Sequence, residues 1–206
     1  QAKSVGTIDV PSASVQSGSL NSAFFTGATD IGAAIADADL FLLDDGAGGT
    51  LRKTAASRIK TYVGDNTPSF YGYLASDQTI SANTWTKMSI ATESWDTDSA
   101  FASNKFTIPS GEGGKYCMGY SVGSKEVLDN TERLDGKLYV NGSAVAHTLT
   151  TKRAPGDNLD IFINFTTVLD LSASDYVELY ARHTDANNQD MDAAYTRFWG
   201  FKLAGV

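Results

Sequence analysis

The sequence predicts an all-β fold: a jelly-roll β-sandwich head, preceded by a small N-terminal connector built of a hairpin and a short helix. Three observations carry that expectation. Residues 67–206 read as a succession of short apolar segments of strand length, parted by turn residues. No stretch between those segments has the apolar spacing of an amphipathic helix. Asn141-Gly142 sits between two of them, and a two-residue type I′ turn, which needs two positive φ angles, favours that pair. About eight strands at such spacing make a sandwich or a jelly roll.

In chain order the predicted strands are 69–74, 84–90, 105–108, 115–122, 137–140, 159–168, 177–183 and 196–203. Alternation is clean in Tyr176-Val177-Glu178-Leu179-Tyr180-Ala181-Arg182, the mark of a strand with one buried face. The last strand brings Phe198, Trp199 and Phe201 together. One sandwich face cannot bury both sets, so this strand predicts a further partner surface.

Residues 1–66 differ in character. They are rich in Ser, Ala, Gly and Thr, with aromatics only at Phe24, Phe25, Phe41 and Tyr62. Asp39–Asp44 reads as a strand, 45–49 as a turn and Thr50–Lys53 as the return strand. Thr54 then caps a helix over 55–63, with Ile59, Tyr62 and Val63 inward and Gly64 as the stop. The breaker cluster 64–68 sets the boundary between a connector at 1–66 and a head at 67–206. A lone hairpin and short helix cannot bury a core unaided, so the connector is expected to trimerise or attach to other chains.

The chain carries 16 Lys and Arg against 24 Asp and Glu, a net charge of −8. That argues against nucleic acid, whose recognition needs clustered cations. The longest apolar run near the front, around Leu40–Leu43, is too short to span a bilayer, so no membrane insertion is expected. Cys117 is the single cysteine, which excludes an intrachain disulfide. It lies mid-strand between Tyr116 and Met118, without a cationic signature of the kind that activates a thiol, and is expected to be unreactive in the native state.

Catalytic signatures are missing from the sequence. His147 and His183 have no zinc-ligand spacing, and no Gly-x-Ser-x-Gly elbow occurs. Gly111-Glu112-Gly113-Gly114-Lys115 imitates a phosphate loop but continues into Tyr116 rather than Ser or Thr. The segment 185–192 is rich in oxygen ligands yet lacks the sixth-position glycine and twelfth-position glutamate of an EF-hand, Thr196 standing at the latter. It leaves Asp185, Asn187 and Asp190 as a weak calcium candidate. No other cofactor is expected, and the chain is read as a non-enzyme.

The order of motifs in the second region resembles the globular head of the first complement component, subcomponent q, and more distantly the tumour-necrosis-factor jelly roll. The resemblance rests on Phe70-Tyr71-Gly72-Tyr73-Leu74, Phe106-Thr107-Ile108-Pro109 and Gly114-Lys115-Tyr116. It continues in Leu138-Tyr139-Val140-Asn141-Gly142, in Leu171 to Leu179 with Asp175 and Val177, and in Phe198-Trp199-Gly200-Phe201-Lys202-Leu203. Cys117-Met118-Gly119 departs from the family's more aromatic strand. The first region resembles a module of bacteriophage tail fibres, through Ala38–Asp45, Gly48-Gly49-Thr50 and Arg52–Ala55.

Together these resemblances imply a phage virion fibre protein, assembled in the bacterial host cytoplasm, whose head forms a homotrimer. Its partners would be other virion proteins through the N-terminal segment, and a host surface glycan or outer-membrane component. The alternatives are a head-fibre or decoration protein of the capsid, and a bacterial secreted carbohydrate- or protein-binding domain of the same fold.

Four long polar loops, 94–104, 124–135, 150–158 and 185–194, are expected to gather at the distal tip, with Asn141-Gly142 and 172–174 at the other end. Receptor contact is expected from Trp95 and Phe101 as stacking surfaces. Asp96, Asp98, Asp129, Asn130, Arg133, Arg153, Asn187 and Asp190 are the expected hydrogen-bonding groups.

Overall fold

The computed structural model describes residues 32–44, 51–63, 67–125, 131–154 and 160–203. By its contacts the chain divides into two compact units, Gln1–Ser57 and Arg58–Val206.

In the first unit, β1 (Leu40–Asp44) pairs antiparallel with β2 (Leu51–Ala55), as the sequence predicts. Its apolar side chains stay in solvent: Leu40, Leu42 and Leu43 are exposed, as is Ile35. The helix α1 (Ala56–Val63) begins one residue later than expected. Thr54 pairs with Phe41 in the ladder, so it does not cap the helix. The Ala56 amide instead donates to the Asp39 carbonyl at 2.8 Å. Ile59, expected inward, is 38% exposed.

The second unit is a sandwich. In chain order its strands are β3 (Ser69–Leu74), β4 (Gln78–Ile80), β5 (Thr86–Lys87), β6 (Ile90–Asp96), β7 (Phe101–Ala102) and β8 (Lys105–Thr107). Then come β9 (Gly114–Gly123), β10 (Arg133–Val140), β11 (Ser143–Ala144), β12 (Thr150–Arg153) and β13 (Phe162–Leu171). β14 (Tyr176–His183), β15 (Gln189–Met191) and β16 (Arg197–Lys202) close the chain. One sheet has the order β13-β9-β16-β3-β6. The other runs β11-β10-β14-β8-β7, with β12 added to β10 and β5 to β14, and a small pair β15-β4 stands beside them.

Alternation explains the core. On β3, Phe70 and Leu74 point inward, and on β9 Tyr116, Met118, Tyr120 and Val122 do so, all buried. Phe70 is the hub, with ring centroids 4.7 Å from Phe101, 4.5 Å from Phe106 and 4.8 Å from Phe198. Each such aromatic pair adds about 1 kcal/mol to area burial. The Tyr120 phenol, pushed up to about 12 by burial, meets the Thr148 carbonyl at 2.8 Å.

Two strands differ from their predicted form for local reasons. The expected strand 84–90 is split: Thr86–Lys87 joins β14, the chain crosses at buried Met88, and β6 joins the opposite sheet. β10 starts at Arg133, earlier than expected, although Asp135 and Gly136 are poor strand formers. A Cβ on Gly136 would stand 2.6 Å from the Tyr120 ring, so the absence of a side chain there makes room for the core. Asn141 and Gly142 both have positive φ, 52° and 75°, as the predicted hairpin turn requires.

Candidate functional site

The two sheets turn opposite kinds of surface outward. On the five-stranded sheet, residues alternate with the core set, so Tyr71, Trp199 and Phe201 face away from the interior, as does Val168. The Tyr71 ring lies between two indoles, 5.1 Å from Trp95 and 6.4 Å from Trp199, with interplanar angles of 23° and 25°. This row of rings crosses β6, β3 and β16. The Trp199 indole lies flat over Gly119 of β9, where a Cβ would stand 2.4 Å from it. Gly123 makes the same room under Tyr195, whose ring stacks on Phe162 at 5.9 Å. A groove of about 520 Å³ opens among Ser69, Tyr71, Trp95, Arg197, Trp199 and Phe201. Trp95 and Val168 are each 51% exposed, and half-buried Cys117 lies on this face, paired with Phe201 and Val168 in the ladder.

The outward face of the other sheet is knitted together by charge. The Asp135 carboxylate, 1% exposed, accepts from Arg182 Nε at 3.0 Å and Nη2 at 2.6 Å, and from the Thr151 hydroxyl at 2.8 Å. Arg133 Nε reaches it at 3.4 Å. Lys137 and Arg182 both stand 4.8 Å from the Trp85 ring, and Lys105 stands 4.5 Å from Tyr176. Tyr139 and Tyr180 stack at 3.9 Å. Burial, with help from Glu178, raises the Tyr180 phenol above its ordinary value of 10. Lys87 pairs with Glu178 at 2.6 Å.

Strand registers fix which loops meet. β3 pairs Ser69 with Phe201, and β9 pairs Gly114 with Leu171, so the sandwich's chain enters and leaves at one common end. Asn141-Gly142 and the turn 172–174 lie at that end, joined by the Asn141 side-chain amide donating to Asp175 at 2.7 Å. At the far end the segments around 124, 154, 160 and 184–196 meet: Lys125 N donates to the Asp190 carbonyl and Asp192 N to the Gly123 carbonyl, both at 2.8 Å. The segment 75–85, not among the expected tip loops, joins them through Asp77, which accepts from Ala193 N and Lys125.

The described parts of three of the four expected tip loops therefore share one end, and the fourth loop does not. Thr97 N donates to the Ser69 carbonyl at 3.0 Å, which places Trp95, Asp96 and Asp98 at the entry end. The chain stays there because β7 and β8 form a very short hairpin, turning back at Ser103 and Asn104, both with positive φ. Phe101 is 4% exposed in the core against Phe70, so it offers no stacking surface. Asp96 is occupied locally, accepting from the Ala100 and Phe101 amides.

Arg133 and Arg153 pair across β10 and β12 at the far end, where the Arg133 amide donates to the Thr184 hydroxyl at 2.9 Å; Asn187 is exposed and Asp190 half-buried. Asp129 and Asn130 lie outside the described residues. Both Asp185 oxygens are taken, one by the Asn187 amide and one by the Gln189 side chain, while Asp190 accepts from Thr79. Among the described residues no group of three or more His, Cys, Asp or Glu could hold a metal ion. His183 is buried with Nε2 at 3.2 Å from the Ile80 carbonyl, and His147 is exposed.

The aromatic row was readable in part. In Phe70-Tyr71-Gly72-Tyr73-Leu74 both alternating sets are apolar or aromatic, the pattern of a strand covered on two faces. The glycine floor at 119 and 123 was not readable, because nothing in the sequence says which ring lies above it.

No protein-family model matches the chain, and no curated protein matches it. Among solved structures it is similar to the globular domain of zebrafish complement 1qA protein, at 16% identity over 66% of this chain and 98% of that one, with a TM-score of 0.48. It is also similar to the Eiger TNF of S. frugiperda, at 12% identity over 69% of this chain and 96% of that one, with a TM-score of 0.51. At such identity the likeness establishes the fold, a jelly-roll β-sandwich.

Proposed function

We propose that this chain is the non-enzymatic head of a bacteriophage fibre, in which three copies associate through the outward face of the five-stranded sheet and bind the host surface. The observation that carries the reading is the aromatic row Trp95–Tyr71–Trp199 with its groove. A protein that stays monomeric rarely shows so continuous an apolar face, and its flat rings suit cover by neighbouring copies arranged around a three-fold axis. The exposed leucines of the β1–β2 hairpin support a second role, attachment of the N-terminal segment to other virion proteins. The far-end loops are left free to meet a host glycan or outer-membrane component, with Arg133, Arg153, Asn187 and Asp190 as contacts.

The test is binding of labelled full-length chain to intact bacterial cells, scored beside cells stripped of surface glycan. Arg133→Ala and Asn187→Ala should each weaken cell binding several-fold while the melting temperature stays nearly unchanged. If the wild type binds no cells, or both variants bind as it does, the receptor role at the far end fails.

A further inference from the structure

The chain is acidic overall, at −8, yet its cations are not spread evenly. The registers of β12, β10, β14, β5 and β8 place Arg133, Arg153, Lys137, Arg182, Lys87 and Lys105 on one outward face. Among the described residues of those strands, the carboxylates on that face are Asp135 and Glu178. Both are buried beneath their partners, at 1% and 7% exposure. The surface presented is therefore positive. Interleaved with the cations are Trp85, Tyr139, Tyr180 and Tyr176, held in place by stacking and by the basic groups over their rings.

This arrangement exceeds what stability needs. Asp135 is satisfied by Arg182 and Thr151, with Arg133 Nε at 3.4 Å, and Arg153 stands opposite Arg133 across the β10–β12 ladder. Like charges at directly opposed positions gain from an anion that binds between them. From Tyr176 to Arg182 the face runs about 20 Å along β14, and from β12 to β5 about 14 Å across the strands. Rigid aromatic rings offer flat apolar faces to sugar rings at little entropy cost. Cations flanking them supply charge complementarity to acidic groups on the same polymer.

We infer that this flank is a binding platform for an acidic polysaccharide, its sugar rings lying on the tyrosines and its carboxylate, phosphate or sulfate groups paired with Lys137, Arg133 and Arg153. The inference rests on the host-binding reading above and names the chemistry of the ligand. It extends the contact surface from the far-end loops onto the strand flank, with Arg133 and Arg153 common to both. A single-stranded nucleic acid also combines stacking with charge, and the oligothymidylate arm of the experiment separates it from a polysaccharide.

The experiment compares the full chain's affinity for dextran sulfate with that for uncharged dextran and for an oligothymidylate. The wild type should bind dextran sulfate and not dextran. The double variant Lys137→Gln/Arg153→Gln should lose about tenfold or more. A charge-matched control, Lys53→Gln/Arg58→Gln, changes exposed cations of the connector region and should retain wild-type affinity. Equal loss in both double variants, no loss in the first, or oligothymidylate binding as tight as that of dextran sulfate overturns the platform. A wild type that binds cells while ignoring dextran sulfate overturns the platform alone and leaves the host-binding reading standing. A wild type that binds dextran sulfate but no cells overturns the host-binding reading instead.

Discussion

The two outward faces of the sandwich obey one rule, alternation along a strand, and use it for opposite ends. On the five-stranded sheet the outward positions hold Tyr71, Trp199, Phe201 and Val168, and Tyr71 stacks between the Trp95 and Trp199 indoles. On the opposite sheet the outward positions hold Arg182, Lys137, Tyr180 and Asp135, each tied to a neighbour by charge, stacking or both. The second surface holds its own rings and charges in place, whereas the first gains most when another apolar surface covers it. The difference teaches that alternation decides only which residues face outward, while register between strands decides whether those residues are matched within their own face.

The largest expected effect comes from breaking the charged face at its anchor. Asp135→Ala removes the carboxylate that Arg182, Arg133 and Thr151 share and should cost about 2–3 kcal/mol in urea denaturation. A loss under about 1 kcal/mol would mean that this network does not hold the face. On the apolar face the sharper probe is Gly119→Ala. A Cβ there meets the indole of Trp199, so the ring must lift. The expected cost is about 1–3 kcal/mol, with a change in tryptophan fluorescence and a weaker association between copies. Unchanged fluorescence would show that the ring row is not held as described.

The smallest effect is at the entry end. Asp175 has its carboxyl held below its ordinary value of 3.8, first by the Asn141 side chain and then by the Ser172 amide. A depressed carboxylate contributes stability that is present above the unfolded value and lost as pH falls through the folded one. The melting temperature should therefore hold above about pH 5 and fall below about pH 4, more shallowly in Asp175→Asn. An identical acid profile in the variant would remove Asp175 from the account.

The strands that the sequence reveals best are those rich in apolar and aromatic residues between clear turn signals, β3, β9, β14 and β16. The short pairs are hidden: β4 and β15 have three residues each, too few to establish a period. The first half of β10 was hidden for a different reason. Asp135 and Gly136 interrupt its pattern, and their explanation lies in Arg182, Tyr120 and Ile163, all distant in sequence. The candidate site divides along the same line. Arg133, Arg153 and Asn187 were legible as polar loop or strand-end residues. Phe101 was misplaced because a lone aromatic near a turn looks the same whether it faces solvent or fills a core. Trp95 was assigned to the wrong end because the two-residue strand β7 cannot be counted from composition. Trp85, Tyr139 and Tyr180 escaped notice because a cation over a ring is a product of register between strands.

The central claim is that the aromatic face of the five-stranded sheet is covered by other copies of the chain. The most direct measurement is the mass of the 206-residue chain in solution by light scattering, alongside Trp95→Asp, which alters a half-exposed ring outside the core. The account predicts three times the 21.9 kDa chain mass for the wild type and 21.9 kDa for the variant, with the sandwich still folded. A wild type that scatters at 21.9 kDa across the micromolar range contradicts it.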